Sequence, residues 1–84
     1  MNTPDEPTEY RTSDIYFAAY ICASGWDLKK TELEDTNKKK VIFIFDVPKK
    51  ELQTLKTDFF GGAGQVKVQK FVQSLRSLKS MCFV

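Results

Sequence analysis

The stretch that most constrains this chain is Val41-Ile42-Phe43-Ile44-Phe45, five large apolar residues between Lys38-Lys39-Lys40 and Asp46-Val47-Pro48. So short a run, β-branched and aromatic and closed by a proline, predicts a strand rather than a helix. Side chains alternate faces along a strand, so Val41, Phe43 and Phe45 point one way and Ile42 and Ile44 the other. Both faces are apolar, and both need cover. That requirement shapes the architecture without naming an activity.

The chain of 84 residues has room for one domain. Met1 to Thr12 contains two prolines and three acids, which predicts a flexible acidic tail over residues 1–11 and a domain over 12–84. A domain of this size buries only about 60% of the surface its unfolded chain exposes. Self-association as a homodimer is therefore expected. Cys22 and Cys82 each fall in an apolar helical pattern, which suits reduced core residues. No signal peptide opens the chain, and no apolar run approaches the ~18 residues of a membrane span. A cytoplasmic protein with no membrane association is the expectation.

Arg11-Thr12-Ser13-Asp14 precedes a helix from Ile15 that ends near Gly25. Thr12 or Ser13 is the expected cap, with Asp14 in the first turn. That helix is apolar nearly all round, the mark of an element buried on most sides. Trp26 to Leu33 reads as a strand in which Leu33 falls out of phase, hinting at a bulge or a fraying end. Glu34-Asp35-Thr36-Asn37 is a turn, and the segment from Lys38 to Val47 returns to make a β-hairpin. Lys49 to Phe60 is an amphipathic helix ended by Gly61-Gly62-Ala63-Gly64. Gln65 to Val68 is a possible short strand, and from about Lys67 a last helix carries Phe71, Leu75, Leu78 and Cys82 on one face. The fold class is α+β, in the order α-β-β-α-(β)-α, an antiparallel hairpin packed by helices. A two-stranded sheet is marginal alone, and the apolar strand would keep an unpaired edge.

The chain has no histidine, which removes the commonest general base and metal ligand. The cysteines lie far apart without a ligand pattern, so no metal site is expected. Asp27, Glu32, Glu34 and Asp35 gather near a hairpin turn, which rarely provides the pocket that catalysis needs. Gly61 to Lys67 fails the phosphate-loop pattern, since no Lys-Ser or Lys-Thr follows the last glycine. Neither an enzyme nor a cofactor is expected. What remains is a small accessory protein that binds nucleic acid, single-stranded or duplex, through its cations. The candidates are Lys38, Lys39 and Lys40 at the hairpin, Lys49 and Lys50 at a helix start, and Lys67, Lys70, Arg76 and Lys79 on the last helix. Tyr16, Tyr20 or Trp26 would stack on bases if exposed. On a helical wheel Lys67 and Lys70 flank one side of the apolar stripe, and Arg76 and Lys79 the other. The alternative is a protein-interaction module that binds a host or replication protein through leftover apolar surface.

Four segments carry a resemblance: Arg11 to Tyr20, Lys40 to Phe45, Phe59-Phe60-Gly61-Gly62, and Leu75 to Ser80. Together they look like a small domain family of unknown function found in bacterial, archaeal and phage genomes. Its members read Thr-Ser-Asp, a helix of small and aromatic residues, a Val-x-Phe-x-Phe strand, a Phe-x-Gly turn and a closing Leu-Lys-Ser. The likeness spans about residues 11–83. It implies a complete small domain of phage or mobile-element origin, and it transfers no site residues.

Overall fold

In the computed structural model, residues 7–34 and 40–82 are described. The elements run β1 (Pro7–Thr12), α1 (Ile15–Ala23), β2 (Leu28–Leu33), β3 (Val41–Pro48), α2 (Lys49–Gly61) and α3 (Val68–Cys82). The α+β class and the β2–β3 hairpin are as the sequence predicts. The third strand is not. It comes from the N-terminal side, and the sheet order is β1-β3-β2, antiparallel throughout.

Two expectations are thereby corrected. Residues 7–11 belong to a strand and not to a flexible tail, because Pro7 to Thr12 pairs residue for residue with Pro48 to Phe43. Residues 65–67 form no strand. The edge of β3 that a bare hairpin would leave unpaired is filled by β1. Both remaining edges are protected in the usual ways. β2 breaks register between Leu28 and Lys30, and β1 opens on a proline.

That register break explains the phase slip read from the sequence. With one extra residue at Lys29, Leu28 opposes Phe45 while Thr31 opposes Phe43 and Leu33 opposes Val41. All three then share the face of the large aromatics.

The helices cover that face. Phe43, Phe45 and Val47 are fully buried with Phe17, Ala18, Ala19 and Ile21 of α1, Leu52 and Leu55 of α2, and Leu78 of α3 in one core. Each such large side chain contributes about 1.5–3 kcal/mol on burial. The alanines bring α1 close to its neighbours, and α3 packs chiefly on α1. Asp14, rather than Thr12 or Ser13, caps α1. The amides of Tyr16 and Phe17 donate to its Oδ1 at 3.0 and 3.2 Å, while its own amide donates to Thr12 Oγ1 at 3.1 Å. Gly25 at φ 106° and Gly62 at φ 80° end α1 and α2 in the left-handed conformation that glycine permits.

The other face of the sheet is covered by charge rather than by wrapped helices. Ile44 is fully buried yet stands outside the helix-side core. Its cross-strand neighbours are Arg11 on β1 and Lys30 on β2, whose aliphatic stems shield apolar surface while their charged ends stay wet. Arg11 is held over it by Glu9 at 3.1 Å and Glu32 at 3.0 Å, and Lys29 reaches Asp46 at 3.5 Å.

Candidate nucleic-acid interface

The nine predicted cations divide by element. Lys38 and Lys39 lie outside the described residues. Lys40 is exposed, with Nζ 4.0 Å from Glu34 Oε2, so its charge is partly answered within the hairpin. Lys49 and Lys50 are exposed in the first turn of α2 beside Glu51. The other end of that helix meets α3, where Phe59 and Gly62 share a hollow with Val68 and Phe71. Thirteen residues of helix place Lys49 about 20 Å along the axis from that junction. Lys49 and Lys50 are therefore separated from Lys67 and Lys70 at the start of α3.

Three of the candidates stand on α3 and a fourth just ahead of it. Lys67, just ahead of the helix, and Lys70, Arg76 and Lys79 on it are all exposed. Phe71, Leu75, Leu78 and Cys82 hold α3 against the core by the opposite face. At about 100° per residue, Arg76 falls near the middle of the solvent face, with Lys70 and Lys79 on its two margins. They flank the apolar stripe, as the wheel predicts, but they flank the exposed face as well. Between them stand Gln69, Gln73, Ser77 and Ser80, also exposed. Sequence reasoning passed over these neutral hydrogen-bonding residues, although their spacing was there to be read.

The electrostatics of α3 are one-sided. The helix has no acid in its first turn, and no acid follows Asp58 in the chain. Lys67 and Lys70 oppose the helix dipole, which disfavours cations at an N-terminus. Arg76 and Lys79 are like charges three residues apart on the helix, and such a pair costs it about 0.2–0.5 kcal/mol. Asp27 is the carboxylate that borders this surface, lining a hollow with Gln73, Ser74 and Ser77.

The aromatic candidates separate likewise. Tyr20 is buried, its ring 5.2 Å from that of Phe59, and cannot stack on a base. Trp26 is half-buried against the core, and Tyr16 is exposed. Lys56 stands over the Tyr10 ring, 4.7 Å from its centroid.

An apolar hollow of about 640 Å³ lies beside the start of α3, lined by Tyr20, Phe59, Val66, Val68 and Phe71 among others. Val68 is 77% exposed at its rim, and Phe60 nearby is 65% exposed. Cys22 lines the hollow that contains Asp27. Burial pushes its thiol above the usual range, and the negative charge of Asp27 adds to the effect. Among the described residues no group of His, Cys, Asp and Glu is placed to hold a metal ion, and no helix is long and apolar enough to cross a membrane.

Compared with known proteins, residues 7–84 match the family model described as a domain of unknown function, DUF5659. The match begins where β1 begins. No curated protein and no solved structure matches the chain.

Proposed function

The chain belongs to the DUF5659 family, and from its own surface we propose that it is a small non-enzymatic module that binds nucleic acid through α3. The observation that carries this reading is the composition of the helix's exposed face. A face that is only solvated gains from mixing acids with lysines, since i,i+4 ion pairs stabilise the helix. Here three cations on the helix, Lys67 just ahead of it and several neutral hydrogen-bonding side chains stand without one acid, with the apolar Val72 and Met81 also exposed among them. Lysine, arginine, serine and glutamine are the side chains that contact phosphate and sugar. A phosphate near Lys67 and Lys70 would turn their conflict with the helix dipole into an attraction.

Fluorescence anisotropy with labelled DNA over a salt series tests the reading. Binding should weaken with a log–log slope of about −3, as three or so neutralised phosphates require. The triple substitution Lys70→Ala, Arg76→Ala, Lys79→Ala should abolish most of that slope. Failure to bind single-stranded or duplex DNA or RNA at low salt would overturn it.

A second reading has its own observation. The exposed Val68 at the hollow beside α3, and the exposed Phe60 against its lining residue Phe59, support a protein-interaction module, with a host or replication protein as partner. In that case Val68→Asp would abolish partner capture, whereas the α3 cation substitutions would not.

A further inference from the structure

Resting on the proposal that α3 binds nucleic acid, we infer that α3 enters the major groove of duplex DNA and reads base edges with Gln69, Gln73 and Arg76. These three fall at i, i+4 and i+7, which stacks them along a single line of the helix. That line is the one farthest from Phe71, Leu75 and Leu78, by which α3 is seated on the protein. All three are exposed.

Their chemistry is specific. Glutamine can bond bidentately to the N6 and N7 of adenine, and arginine to the O6 and N7 of guanine. A single-strand binder uses aromatic platforms, yet the exposed line of α3 has none: Phe71 packs against the core and Tyr20 is buried against Phe59.

Dimensions and charge agree. Fifteen residues make a helix about 22 Å long, and the major groove of B-form DNA, about 12 Å wide, admits a helix. Lys70 and Lys79, on the two margins, would then meet the phosphates on either wall of the groove while the central line faces the bases. Asp27 lines a hollow with Gln73, Ser74 and Ser77, so its carboxylate borders the reading line on the Ser74 and Ser77 side. A-form RNA has a deep, narrow major groove that side chains cannot read, so duplex RNA is the poorer ligand.

The test selects tight binders from a duplex DNA library of random sequence, using the full chain. It is repeated with Gln69→Ala/Gln73→Ala and with Lys70→Ala/Lys79→Ala, and each variant is checked for an unchanged far-ultraviolet circular dichroism spectrum. The wild type should enrich a short motif of a few base pairs, with adenine and guanine at its invariant positions. Gln69→Ala/Gln73→Ala should lose about tenfold or more of the preference for that motif, with a smaller fall in its affinity for random duplex. Lys70→Ala/Lys79→Ala should weaken all sequences alike and leave the motif unchanged. Duplex binding without an enriched motif, a motif indifferent to the glutamine changes, or retention of single strands only would each overturn the inference and leave nucleic-acid binding standing. Absence of binding to every nucleic acid would overturn both.

Discussion

Arg11 Nη2 lies 3.0 Å from Glu32 Oε2, so a side chain of β1 is tied to one of β2 across the full width of the sheet. The approach is an ion pair rather than an aligned hydrogen bond, and Glu32 Oε2 accepts no hydrogen bond. Beneath the arginine stem lies Ile44, the apolar residue whose cover was hardest to foresee.

Both side chains of that pair are more than a third exposed, so the ion pair itself contributes at most about 1 kcal/mol. Arg11→Ala also uncovers Ile44 and should lower stability by about 1–2 kcal/mol. Arg11→Met keeps an apolar stem and should cost less than half as much. Urea unfolding midpoints measure both. Equal losses would mean that charge, not cover, is the arginine's contribution.

Gly64 approaches Tyr20 closely. A Cβ there would stand 2.7 Å from the tyrosine hydroxyl oxygen and 2.9 Å from the ring carbon that bears it. Tyr20 is buried and not free to swing away. Gly64→Ala should therefore destabilise by about 1–3 kcal/mol. Adding Tyr20→Phe should recover only part of that, because the ring carbon remains too near. A double-mutant cycle by thermal unfolding decides the point.

Asp14 satisfies two amides at the start of α1. Asp14→Ala should cost about 1 kcal/mol, and Asp14→Asn only a few tenths. Thermal unfolding of the two variants would reveal a different cap if they lost equally.

The thiol of Cys22 is pushed above its ordinary value of 9.0 in the folded chain, first by burial and then by Asp27. Above about pH 9 the unfolded chain gives up this proton and the folded chain retains it, so stability falls as pH rises through that range. Below the ordinary value both states hold the proton and the effect vanishes. Cys22→Ser should flatten the loss of stability above pH 9, and alkylation of Cys22 should be slower folded than unfolded. A reactive thiolate at neutral pH would contradict this.

The hairpin, the three helices and the alternation at 41–45 are legible in the sequence because each is a local pattern of apolar residues. β1 is not, since Thr8, Tyr10 and Thr12 alternate with Glu9 and Arg11 without a single aliphatic side chain. Its stability comes from a partner strand more than thirty residues away. The cover over Ile44 is hidden for the same reason, being assembled by charges on two strands that meet only in space. The apolar stripe of α3 and its cations are readable, as is the want of an acid. The placing of Lys40 at the hairpin and of Lys49 and Lys50 at the start of α2 is readable too; what the helical wheel alone cannot say is which residues of α3 the fold leaves exposed.

The central claim is that the outward face of α3 meets nucleic acid. Amide chemical shifts of the labelled chain, followed during titration with a short DNA duplex at low salt, test it most directly. The largest changes should fall at Gln69, Gln73, Arg76, Ser77 and Ser80 and should disappear as salt is raised. Changes confined to Phe60, Val66 and Val68, or no changes at all, would contradict it.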